Sequence, residues 1–158
     1  MKRIRWLVLI AVLVIVPAIG WSQVSTQQPR PATTAPKLEP VAETRLLMEG
    51  LAKPNTEGLA KLLKDKPTSV EAWTFARGQA LILAETGNML MLRPPTAKAA
   101  QEVWMARSAE LRSTASKLAT ATAAKDYTAA RAALASMANS CNRCHEAFRV
   151  QTRISPFD

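Results

Sequence analysis

Residues 127–148 read YTAARAALASMANSCNRCHEAF. Within them Tyr127, Ala130, Leu134, Met137, Cys141, Cys144 and Phe148 recur three and four residues apart. That spacing marks one face of an α-helix packed in a left-handed bundle. The same alternation runs upstream through Trp104, Ser108, Leu111, Ala115, Leu118 and Thr122, and earlier through Trp73, Ala76, Ala80, Leu83, Gly87 and Leu90. Alanine is abundant, β-branched residues are few, and no alternating strand pattern of useful length occurs. Four helical segments are predicted. The first spans 41–64, with a kink or break at Pro54-Asn55. The second starts at a Thr68/Ser69 cap with Glu71 in its first turn, and Pro94-Pro95 stops it after Arg93. The third runs from near Thr96 to Ala123, and the fourth from the Lys125-Asp126 turn to Gln151. Short connections force neighbours antiparallel, so the expected fold is all-α, an antiparallel up-down-up-down four-helix bundle. Its seams are narrow and alanine-rich, so a large apolar group in the core would add burial that the side chains do not supply.

The fourth segment also carries chemistry. Cys141-Asn142-Arg143-Cys144-His145 has the form of the attachment signature for c-type haem. Residues i, i+3 and i+4 share a helical face, so both thiols and the imidazole point the same way. Two thioethers to the porphyrin then bring the iron within reach of the histidine next to the second cysteine. With two cysteines and one histidine in the chain, chance placement gives this arrangement on the order of once in ten thousand. A thioredoxin-type pair wants a strand-to-helix setting, and a structural zinc needs a fourth ligand that no other Cys or His supplies. One covalent haem c, held through Cys141 and Cys144 and ligated by His145, is the expected cofactor.

With its motif near the C-terminus of a four-helix bundle, the chain resembles the cytochrome c′ family over about 41–150. The ending Cys141-Asn142-Arg143-Cys144-His145-Glu146-Ala147-Phe148-Arg149 is similar to that family's own, with an arginine four residues after the histidine. The resemblance implies that Arg149 lies beside the proximal face of the haem. It also implies one of two activities: electron transfer when methionine fills the sixth iron position, or binding of NO or CO when a leucine leaves it open. Family members often pair through their first two helices, which implies a homodimer.

For the sixth position the residues leave two readings. His145 is about six residues from its expected helix end, or ~9 Å, and Met48 is about eight residues into the first helix, or ~12 Å. Met48 lies on a stripe of Val41, Thr44, Met48 and Leu51, so it reads either as distal ligand or as packing over an open site shielded by Leu47, Met48 or Leu51. The family pattern puts this residue four after an arginine. Four after Arg45 is Glu49, and Met48 is three after. Trp104, ~11 Å into the third helix, is expected against a haem edge, where plain core packing would look alike. No general base, nucleophile or second metal site is visible near His145, so no enzyme is expected.

Outward from the bundle, 1–22 read as a signal peptide or an N-terminal anchor. Lys2, Arg3 and Arg5 precede an apolar run from Trp6 to Val16, then the small-residue stretch Pro17-Ala18-Ile19-Gly20-Trp21-Ser22. The run is shorter than the ~20 residues a bilayer span needs. Cleaved or retained as an anchor, the segment places the bulk of the chain in the periplasm. Residues 23–40 hold Pro29, Pro31, Pro36 and Pro40 among Gln, Ser and Thr, the composition of a flexible tether. The haem-binding domain is then 41–158. Removing the charges of Lys2, Arg3 and Arg5 from the formal +9 leaves +6. These charges are scattered among acidic neighbours, as at Lys61, Lys64, Asp65 and Lys66, unlike a nucleic-acid patch. They suit a solvated surface or docking to an acidic redox partner protein.

Overall fold

Capping fixes where each helix begins and ends. The computed structural model describes residues 36–157, so the expected signal or anchor at 1–22 and most of the expected tether lie outside the described residues. The first helix, α1, covers 44–62 in three runs: α-helical Thr44–Leu47, a π turn over Met48–Ala52, and α-helical Lys53–Leu62. Three further helices follow: α2 (Val70–Met91), α3 (Lys98–Ala123) and α4 (Tyr127–Ala147). No strand occurs among the described residues, and the architecture is an all-α four-helix bundle. The Ser69 hydroxyl caps α2 by accepting from the Ala72 N–H at 3.1 Å. The Asp126 carboxylate caps α4 by accepting from the Ala129 N–H at 2.9 Å.

Three expectations need correction. Of the kink or break expected at Pro54-Asn55, the break does not occur: the helix runs through Pro54, which sits in the first turn after the π segment. In a regular helix the proline ring would press on the carbonyl of Gly50 and offer it no donor. Widening the preceding turn to π spacing relieves that crowding. The stripe that began at Val41 also moves. Val41 is 98% exposed, and the residue of α1 buried at this end is Leu47. Finally, α4 ends at Ala147 rather than Gln151. The N–H of Val150 bonds the His145 carbonyl at 2.8 Å and that of Arg149 bonds the Glu146 carbonyl at 3.2 Å, the two bonds of a Schellman closure. Arg149 takes the left-handed conformation there, with φ 58°, and so reverses the chain. Smaller shifts put the start of α3 at Lys98 and the end of α2 at Met91.

The seams behave as their spacing requires. Trp73, Ala76, Ala80, Leu83, Gly87 and Leu90 of α2 are all buried, as are Ser108, Leu111, Ala115, Leu118 and Thr122 of α3. Small residues let these two helices approach closely. At Gly87 a Cβ would stand 2.8 Å from both the Arg112 amide nitrogen and the Ser108 carbonyl oxygen, so no larger residue fits without moving backbone. Antiparallel order brings the end of α1 to the start of α4, and hydrogen bonds lock the two there. The Tyr127 hydroxyl donates to the Lys64 carbonyl at 2.9 Å, and the Arg131 guanidinium to the Leu63 carbonyl at 2.6 Å. At the opposite end Arg93 ties the entry of α1 to the exit of α2, donating to the carbonyls of Ala42 (3.0 Å) and Met89 (2.5 Å). Among the described residues no helix is long and apolar enough to cross a membrane.

Candidate functional site

Burial fades along α4 towards its C-terminus. Ala130, Leu134 and Met137 are fully buried, whereas Cys141, Cys144, His145 and Phe148 on the same face are half-exposed. Trp104 of α3 is likewise half-buried beside a buried Ser108, and Met48 of α1 is half-buried beside Leu47. The bundle is therefore densely filled at one end and incompletely covered at the end that carries the motif.

The two cysteines are free thiols spaced to share one face of α4. Burial pushes the Cys141 thiol up to about 11, with the neighbouring Cys144 adding to the shift, and burial raises Cys144 as well. Both stay protonated at neutral pH, opposite to the depressed pKa of a redox-active Cys-x-x-Cys nucleophile. Among the described residues no group of three or more His, Cys, Asp or Glu side chains converges as a metal cluster would.

His145 is held by the tail beyond the helix. Its Nδ1 lies 2.7 Å from the Thr152 carbonyl oxygen. A carbonyl only accepts, so Nδ1 carries the proton and Nε2 keeps its lone pair free for a metal. Arg143, on the outer side of α4, pairs with Glu110 of α3, which also accepts from Arg107 at 2.6 Å. The Arg143 hydrogen bond is the main reason the Glu110 carboxyl lies below its usual value; Arg107 adds to it and burial partly opposes it.

Trp104 and Phe148 meet edge to face, ring centroids 5.1 Å apart, and the indole N–H donates to the Leu90 carbonyl at 2.7 Å. Two free thiols on one helical face, an imidazole with its outer nitrogen engaged, and an aromatic pair alongside make a donor set that suits a covalently attached haem. Met48 opens the π turn of α1 and packs against the core cluster. Measured from the observed helix ends, Met48 is four residues in and His145 two, or ~6 and ~3 Å. Both are nearer the bundle end than expected, but their difference in level is the same. Arg149 is exposed at the turn that closes α4.

A family model described as Cytochrome C′ matches residues 55–149, well over half of the chain. The chain belongs to the cytochrome c′ family. It is thus a cytochrome of the haem c-binding kind. No curated protein and no solved structure gave a match. The matched span contains the five-residue motif and Trp104, and leaves Met48 and everything beyond Arg149 outside.

Sequence reasoning missed the tail. The bond from His145 to Thr152 and the pairing of Asn142 with Ile154 are made across the turn at Arg149, by a chain that has left the helix, so helical spacing does not announce them. The available signal was Ile154, Pro156 and Phe157, three apolar residues closing an otherwise polar end.

Proposed function

We propose that this cytochrome is an exported one-electron carrier. In this reading one haem is attached through Cys141 and Cys144, His145 is its proximal ligand and Met48 its distal ligand. When bound, the haem supplies a reversible one-electron iron couple. The chain's own residues hold and tune it. His145 offers a neutral Nε2, Met48 a soft thioether, and the Trp104–Phe148 pair keeps water from one side. The observation that carries the distal assignment is the π turn. It begins at Met48, on the end of the bundle that holds His145, and π turns inside helices gather at functional positions. With both His145 and Met48 as ligands the iron would be low-spin in both oxidation states, which would suit a carrier. The basic surface suits an acidic redox partner, and no catalytic role of its own is assigned to the chain.

One observation favours a second reading. The residue of α1 most buried at this end is Leu47, at 5% exposure, next to Met48. Were Leu47 to cover the iron, the site would be five-coordinate and would bind NO or CO.

Optical spectra separate the two. Under the first reading the purified protein is low-spin, its haem resists acid-acetone extraction, and Met48→Leu turns it high-spin, opens it to CO and lowers the midpoint potential. Met105→Leu, at an exposed position of α3, changes none of these. A native protein that is already high-spin and takes up CO hands the function to the gas-binding reading. Haem released to acid-acetone refutes the covalent attachment.

A further inference from the structure

Beyond α4 the chain doubles back along its own helix. Once Arg149 has reversed its direction, Thr152 lies against His145 and Ile154 against Asn142, an antiparallel return. Asn142 is the first of the two variable residues of the motif, one helical turn before His145 on a neighbouring strip of the surface. Its side-chain amide pairs with the backbone of Ile154 on both sides. Nδ2 donates to the Ile154 carbonyl and Oδ1 accepts from the Ile154 N–H, each at 2.8 Å. Such a pair copies one rung of a β-ladder, and only a residue that both donates and accepts at this reach completes it.

The flanking residues show why this matters for the histidine. Gln151, Thr152 and Arg153 are exposed, so little else holds the Thr152 carbonyl in place. The next residue, Ile154, is pinned by Asn142. Further along, Phe157 packs against the core with the Arg131 guanidinium 3.8 Å from its ring centroid. The carbonyl that accepts the hydrogen bond from His145 Nδ1 is therefore suspended just ahead of an anchored segment.

We propose that Asn142 is a positioning residue for the iron ligand. By fixing Ile154 it sets the Thr152 carbonyl on His145 Nδ1, which selects the ring tautomer and makes the imidazole a stronger electron donor to the iron. An acceptor on the outer nitrogen raises ligand basicity and favours the ferric state. The tail is then a proximal strap that lowers the midpoint potential. This rests on the reading of His145 as proximal ligand, and does not depend on what occupies the distal side.

The test uses the haem-loaded protein, full-length and shortened, with two readouts: midpoint potential, and solvent exchange of the His145 Nδ1 proton by NMR. Asn142→Ala is expected to shift the potential positive and to speed the exchange. A chain ending at Gln151, which lacks the Thr152 carbonyl and leaves the motif untouched, is expected to do the same at least as strongly. In that shortened chain Asn142→Ala is expected to add nothing, because the segment it holds has gone. An unchanged potential and exchange rate in Asn142→Ala would overturn the proposal, as would an equal further shift in the shortened chain. If Asn142→Ala fails to accumulate, the shortened chain alone decides whether the strap acts on the potential. Haem spectra that survive His145→Ala unaltered would instead overturn the ligand reading beneath it.

Discussion

The two ends of the bundle are built on different principles. At one end Leu59, Leu63, Leu118, Leu134 and Ala130 are fully buried, and Tyr127 and Arg131 lock the start of α4 to the chain leaving α1. At the other end the same helical seams continue through Met48, Trp104, Cys141, Cys144 and Phe148, none of them fully buried. Side chains alone complete the first end. The second is left half-covered by its own side chains, and that is where the motif sits. The filled end and the end that carries the motif are thus distinguished along the bundle axis by how completely their own side chains cover them.

That separation can be broken deliberately. The largest effect is expected from Cys141→Ala combined with Cys144→Ala, which removes the attachment and with it the filling of the motif end. Thermal unfolding followed by circular dichroism should lose its cooperativity while helical content persists. An apoprotein that melts as sharply as the native one would mean that the motif end is complete without haem. Next in size is Leu134→Ala, in the filled end, where side-chain exposure is 0%. A cost of about 2–5 kcal/mol is expected in urea unfolding, with the haem spectrum unchanged. A shifted spectrum would show the two ends to be coupled. The smallest effect concerns Glu110, which accepts from Arg143 and Arg107. Its carboxyl is held below the usual value of 4.5, so its stabilisation is full above that pH and is lost as pH falls through the lowered value. Comparison with Glu110→Gln should give a difference under about 1 kcal/mol at neutral pH, given the partial exposure of the pair, vanishing in acid. A difference that grows in acid would contradict the assignment.

Much of this could be read from the residues in order. The seams of α2 and α3 came out at every position but Trp104, which is half-buried, because a buried face in a bundle repeats every three or four residues whatever lies opposite. Ser69 announced the start of α2, and Asp126 sits where α4 begins, since each offers an oxygen to an unpaired amide of the first turn. The motif was legible for the same local reason. What was not legible depended on choices between nearly equal local conformations. Pro54 permits a kink, a break or a widened turn, and the structure has the widened turn. The end of α4 lacks the glycine that usually marks a left-handed closure, and Arg149 occupies that conformation instead. The helix was therefore drawn four residues too long, and the tail that reaches back to Asn142 and His145 was left out of the site.

The π turn has one more consequence, in evolutionary terms. A helix that carries one surplus residue within a turn is offset by about 100° between the segments on either side. Thr44–Leu47 therefore face a direction that a regular helix would not give them. Losing a single residue between Met48 and Ala52 would restore the regular repeat and swing the entrance of α1 round by that angle, presenting a different side chain. A lineage can thus change which side chain α1 presents at this end of the bundle by gaining or losing one codon, with no substitution elsewhere in the helix.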